Sequence, residues 1–295
     1  MVGKALLVTF FLLLGYGLLI ERYQKKIQRT AQTIGQRNLV KGEEYLFEAS
    51  SWADTVILGS SMSEMLLSEQ PSKHRYNLAM PGLSAHEGLQ LMQLAKHIPR
   101  VLLIEINTLV KVQKLSLMDE FKQPATLRLK QYLPFTRQKY QPAGVLKAVL
   151  RDWFGTPTTP AMVVSAPDSA LLQKGFRAYG PFIKPLPPDS VFRQTFTQLR
   201  QTLDKFHRRG TRIIFYEMPN HPVIQSIPLA QKTRQFVQIF FNAPGYHRVA
   251  LPHEIYQTSD GVHLLPPETV RYSVFLNHQL AQLPHQLQLA QSKMD

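Results

Sequence analysis

Thr55-Val56-Ile57-Leu58-Gly59-Ser60-Ser61 decides the fold. A four-residue run with three β-branched side chains stops at Gly-Ser-Ser, the signature of a buried parallel strand entering a tight turn. Helical character over 62–67 completes a strand–turn–helix unit. The unit recurs. Tyr76-Asn77-Leu78-Ala79-Met80 ends at Pro81-Gly82 and precedes a helix over 84–97, and Val101-Leu102-Leu103-Ile104-Glu105-Ile106 ends at Asn107. Downstream, an amphipathic helix over 190–209 is stopped by Gly210 and leads into a strand over 211–217. A helix over 229–241, a fifth strand over 247–251 and a closing helix over 267–283 follow. This alternation predicts a flavodoxin-like three-layer α/β/α fold with a mostly parallel five-stranded sheet.

Residues 108–189 interrupt that rhythm. They carry little strand signal and repeated prolines, yet retain Trp153, Phe154, Phe176, Tyr179 and Phe182. The segment therefore reads as a partly helical insertion, either a lid or a partner-docking surface, rather than a linker. The Gln-rich tail, 284–295, reads as peripheral.

At the other end, residues 5–20 are uncharged and close sharply at Glu21-Arg22. The run is just under the roughly 20 residues of a spanning helix, lacks the polar stripe of a core helix, and is followed by no small-x-small cleavage site. An uncleaved transmembrane anchor over 1–21 is expected, then a polar juxtamembrane stalk over 22–50 and an α/β domain over 51–283. Arg22, Lys25, Lys26, Arg29, Arg37 and Lys41 follow the anchor and only Lys4 precedes it. Taken alone, this bias leaves the body in the cytoplasm.

Lys and Arg number 34 against 20 Asp and Glu, a net charge of +14. No zinc finger, RNA-recognition signature or basic helix with interleaved aromatics accompanies the charge, so anionic lipid or an acidic polysaccharide is the expected partner and nucleic acid is not. The absence of cysteine excludes disulfides, Cys-ligated zinc, iron–sulfur clusters and thiol catalysis. The histidines form no H-x-x-x-H or H-x-H cluster, and neither a metal nor another cofactor is expected.

In doubly wound sheets ligands bind beyond the carboxyl ends of the strands. Those positions hold Ser60 and Ser61, Gly82, Asn107, Glu217 with Asn220 and His221, and the late Asp260-Gly261-Val262-His263. Ser, Gly, Asn and Asp-x-x-His are the parts of an acyl-transfer site: a nucleophilic hydroxyl, an imidazole base, a carboxylate to orient it, and donors for the oxyanion. Ser63 is an alternative nucleophile. Glu105, Glu217, Asn220 and His221 are candidate pocket residues; should Glu217 be structural, it is expected to act as a cap or to pair with Arg212.

The order of these blocks resembles the SGNH (GDSL-like) hydrolase superfamily. Gly59-Ser60-Ser61-Met62-Ser63 is similar to its first block, Asn77-Leu78-Ala79-Met80-Pro81-Gly82 to its second, Glu105-Ile106-Asn107-Thr108 to its third, and Asp260-Gly261-Val262-His263 to its last. It departs at Ser60, where Asp often stands, at Glu105, where Gly is usual, and at Thr108, where the family has a second Asp. The resemblance implies Ser61 as nucleophile, His263 as base, Asp260 as its orienter, and an oxyanion hole from the Ser61 and Gly82 N–H groups and the Asn107 amide.

With the anchor, it further implies a bacterial inner-membrane, single-pass acyltransferase or esterase, its catalytic domain extracytoplasmic. Such proteins act on O-acyl groups of an envelope polysaccharide, beside a membrane-bound O-acyltransferase. Two rival expectations are a non-catalytic anchored scaffold for a polymer or acyltransferase, and a lipid esterase at the bilayer surface.

Overall fold

The computed structural model describes residues 2–23, 27, 30–31, 33–66, 74–111, 118–154, 169–179 and 186–283. Five strands, β1 (Thr55–Leu58), β2 (Arg75–Asn77), β3 (Val101–Glu105), β4 (Arg212–Tyr216) and β5 (Tyr246–Arg248), form one all-parallel sheet in the order β2-β1-β3-β4-β5. Ten α-helical segments are described: α1 (Val2–Tyr23), α2 (Ile34–Phe47), α3 (Ala85–Met92), α4 (Pro124–Tyr132), α5 (Pro142–Phe154), α6 (Ser169–Tyr179), α7 (Asp189–His207), α8 (Pro222–Gln225), α9 (Pro228–Phe240) and α10 (Pro266–Gln282).

Both sheet faces are covered, which is why the strands read as near-continuous apolar runs. Alternation divides them. Val56, Leu58, Leu102, Ile104, Ile213 and Phe215 pack beneath α2, α3, α7 and α9. Ile57, Leu103, Ile214 and Tyr216 pack beneath α8, α10 and the turns after β1. In register, Leu58 pairs with Ile104 and Glu105 with Tyr216. The chain therefore leaves β1, β3 and β4 along one rim, and Ser61, Asn107 and Met218 emerge there as neighbours.

Two local expectations differ from the structure. Described residues 61–66 form successive tight turns rather than a helix; Leu67 lies outside the described residues. Asn77 explains this. Its Nδ2 donates to the carbonyls of Ser63, Glu64 and Leu66, the acceptors a lengthening helix requires.

The segment read as a stalk is the second difference. α2 is packed into the body, with Asn38, Gly42, Glu43 and Tyr45 buried, so the α/β unit begins near Ile34. Lys25, Lys26 and Arg29, like the tail 284–295 and Phe182, lie outside the described residues.

The described parts of the insertion are largely helical, and they are tied to α2. Lys130 pairs with Glu43 at 2.8 Å, Arg137 with Glu48 at 2.7 Å and Lys139 with Glu44 at 2.8 Å. It also receives the end of α1. Ile20 is buried with Ile27, Tyr140 and Val145, Tyr16 Oη donates to the Tyr140 carbonyl at 2.5 Å, and Phe135 lies against Gly17.

Candidate active site

Ser61 stands at the open end of the turn after β1, partly accessible. His263 Nε2 lies 2.8 Å from its Oγ, and His263 Nδ1 lies 2.7 Å from Asp260 Oδ2. Asp260 takes the Nδ1–H, which leaves Nε2 as an acceptor for the Ser61 hydroxyl. The loop that delivers the base is closed on itself: Thr258 bridges to Leu264, and the Ser259 N–H donates to the His263 carbonyl at 2.9 Å. Asp260 Oδ1 accepts the N–H groups of Val262 at 3.0 Å and His263 at 2.8 Å. Gly261, at φ +93°, supplies the left-handed residue this loop needs.

These contacts set the charges. The hydrogen bond that His263 donates to Asp260, with the nearby charges of Asp260, Glu105 and Glu64, raises the His263 pKa against the opposing effect of burial. Burial would raise the Asp260 pKa, but hydrogen bonds from the His263 ring and from the His263 and Val262 N–H groups outweigh it and hold the carboxyl below its ordinary range.

Glu105 does not open into the space before Ser61. Fully buried, its carboxylate accepts the Ser60 N–H at 2.8 Å, the Ser60 hydroxyl at 2.8 Å, the Ser63 hydroxyl at 2.5 Å and the Thr108 hydroxyl at 3.3 Å. Tyr216 Oη donates to Ser63 Oγ at 2.7 Å, completing a relay beneath the nucleophile turn. Burial raises the Glu105 pKa while the donated hydrogen bonds oppose that shift. Ser63, the alternative nucleophile, is enclosed in this relay. Gly59 is needed for close approach, since a Cβ there would stand 2.5 Å from Glu105 Oε2.

Of the oxyanion candidates, the Ser61 and Gly82 N–H groups have no acceptor among the described residues. Asn107 is pinned to β4's exit: Nδ2 donates to the Met218 carbonyl at 2.9 Å and Oδ1 accepts the Met218 N–H at 2.8 Å. An amide nitrogen carries two hydrogens, so one donor remains beyond that bond.

The Gly82 loop is held by side chains from both sides. Lys41 Nζ donates to the Ala79 carbonyl at 2.7 Å, Asn38 Nδ2 to the Pro81 carbonyl at 2.9 Å, and Lys111 Nζ to the Gly82 carbonyl at 2.8 Å. In a trans peptide C=O and N–H point oppositely. Asn38, by holding the Pro81 carbonyl toward α2, turns the Gly82 N–H outward. Sequence reasoning missed Asn38 because it sits in the polar segment taken for a stalk.

The remaining pocket candidates divide. Glu217 forms a two-pronged pair with Arg234, both contacts 2.7 Å, in place of the expected Arg212. Asn220 is buried and its Oδ1 meets no donor among the described residues. His221 donates its N–H to the Gly261 carbonyl at 2.8 Å and stacks edge-on against Phe176, ring centres 5.0 Å apart. Through Phe176, α6 reaches the base-bearing loop; Gly175 approaches so closely that a Cβ would overlap the Asp260 carbonyl. Among the described residues no group of three His, Asp or Glu side chains forms a metal site. The chain matches no protein-family model, no curated protein and no solved structure.

Proposed function

We propose that this chain is a membrane-anchored serine acyltransferase or esterase of the SGNH type, acting on O-acyl groups of a cell-envelope polysaccharide or similar polymer. The observation that carries the reading is the chain of hydrogen bonds from Ser61 Oγ through His263 to Asp260. In the first half-reaction Ser61 Oγ attacks an ester carbonyl as His263 Nε2 takes its proton. The tetrahedral oxyanion is met by the Ser61 and Gly82 N–H groups and the Asn107 amide. It collapses to an acyl-enzyme, and the departing alkoxide leaves with the proton held by His263. In the second half-reaction a sugar hydroxyl or water gives its proton to His263 and attacks the acyl carbon; the bond to Ser61 Oγ breaks and His263 returns the proton to that oxygen.

A carboxylate at position 105 facing the oxyanion would favour the non-catalytic scaffold. The engagement of Glu105 by Ser60 and Ser63 beneath the turn supports the enzymatic reading instead. The anchor reading is supported by the packing of Tyr16, Gly17 and Ile20 against the body, because cleavage after α1 would expose the cluster around Tyr140 and Val145. An extracytoplasmic body is supported by the resemblance.

The test uses full chain in detergent. It should hydrolyse a short-chain aryl ester and bind a fluorophosphonate covalently, and Ser61→Ala should lose both with an unchanged melting curve. Labelling that persists in Ser61→Ala, or full activity in that variant, would end the assignment.

A further inference from the structure

α5 presents two faces. Gly144, Val145 and Ala148 turn inward, while Leu146, Leu150, Trp153 and Phe154, at i, i+4, i+7 and i+8, form an outward stripe. Trp153 is 80% exposed and Phe154 75% exposed. Tyr132, also 75% exposed, and Leu133 add apolar surface just before the turn that holds Phe135. Soluble surfaces rarely carry contiguous apolar area of this kind without a partner.

The depth of α1 identifies what covers it. Residues Val2 to Gly15 are exposed, and contact with the body begins at Tyr16. At 1.5 Å per residue the helix ahead of Tyr16 spans only about 21 Å, against roughly 30 Å of hydrocarbon in a bilayer. The apolar run continues to Ile20 and ends at Glu21-Arg22. Anything packed on Tyr16, Gly17 and Ile20 therefore shares their depth. Phe135, Tyr140 and Val145 are packed there, and Val145 is on α5 itself.

We infer that the outward face of α5, with Tyr132 and Leu133, is a membrane-contact surface that seats the insertion in the headgroup layer beside the anchor. This rests on α1 being an uncleaved anchor. Tryptophan and tyrosine with leucine below them is the composition of the bilayer interface. The body is thus held at a fixed height over the bilayer rather than swinging on a tether.

Tryptophan fluorescence tests this in full chain reconstituted into phosphatidylcholine–phosphatidylglycerol vesicles. In Trp52→Phe only Trp153 emits. Its emission should be blue-shifted, lose about half its intensity to lipids brominated in the acyl chain, and be little affected by aqueous iodide. Phe154→Trp in a chain lacking both natural tryptophans repeats the reading one residue on. Leu12→Trp in that same background reports α1. If position 12 is quenched by bromolipid while position 153 is quenched only by iodide, the anchor stands and the surface assignment falls. Shielding of position 153 from both quenchers means a second copy of the chain covers the face, and also overturns it. An unquenched position 12 removes the anchor reading and this inference with it.

Discussion

Ser61 and His263 lie 202 positions apart in the chain, yet Oγ and Nε2 are 2.8 Å apart, and the imidazole is held from behind by Asp260. Asp260→Asn should leave the loop's turn largely intact, since the amide oxygen still accepts from the Val262 and His263 N–H groups. It should favour the wrong imidazole tautomer and cut ester turnover by about 10³–10⁴-fold. Steady-state kinetics should find the loss in kcat, with KM little changed.

The same pair sets the pH response. His263 must be neutral to accept the serine proton, and its pKa is raised chiefly by the Asp260 hydrogen bond. The rate of acylation should therefore rise with pH through an inflection above that of an ordinary histidine, and Asp260→Asn should move the inflection down. Stability has the opposite sign on the histidine side. The raised His263 pKa contributes stability that is full below its unfolded value and is lost as pH climbs through the folded value. The depressed Asp260 pKa contributes stability present above its unfolded value and lost as pH falls through the folded one. Thermal unfolding against pH should show the pair's contribution between those limits and its disappearance in Asp260→Asn.

Glu105 organises the nucleophile turn. Glu105→Ala would strand the Ser60 N–H and three hydroxyls in a dry site, at a cost of about 3 kcal/mol in chemical denaturation. Gly59→Ala should reproduce much of that loss by crowding the same carboxylate. Both variants should slow fluorophosphonate labelling of Ser61. A glutamate that merely lined the pocket would change KM without touching stability.

Asn38 acts through the Pro81 carbonyl. Asn38→Ala should free the Pro81–Gly82 peptide to rotate and lower kcat by about 10-fold, a fraction of the 10²–10³-fold expected from deleting an oxyanion donor. KM for a small ester should stay near the parent value. Asn38→Asp, which cannot donate to the carbonyl when ionised, should not rescue the rate.

Arg234 separates structure from chemistry. Its guanidinium satisfies both oxygens of the buried Glu217, so Arg234→Ala should lower stability by about 2 kcal/mol. Active-site titration should still find a full complement of reactive Ser61 in the folded fraction.

The strands were legible because a parallel strand covered on both faces is written as an apolar run, and Thr55 to Leu58 and Val101 to Glu105 are such runs. Ser61, Asp260 and His263 were legible because each follows an element that the sheet order brings to one rim. What escaped depends on rotamers and partners. Glu105 reads as a pocket residue in the sequence because nothing there says that Ser60 and Ser63 will turn back to meet it. Arg212 is nearer to Glu217 in sequence than Arg234, but α9 carries Arg234 across the strand's exit. α2 looked solvated because its buried residues include Asn38 and Glu43, polar side chains whose partners, the Pro81 carbonyl and Lys130, lie far along the chain.

The order of the strands has a consequence for synthesis. The last of them ends at Arg248, before the loop that carries the imidazole. On the ribosome, every strand is made before His263 exists. Until that late loop folds over the rim, no imidazole stands within hydrogen-bond distance of Ser61 Oγ.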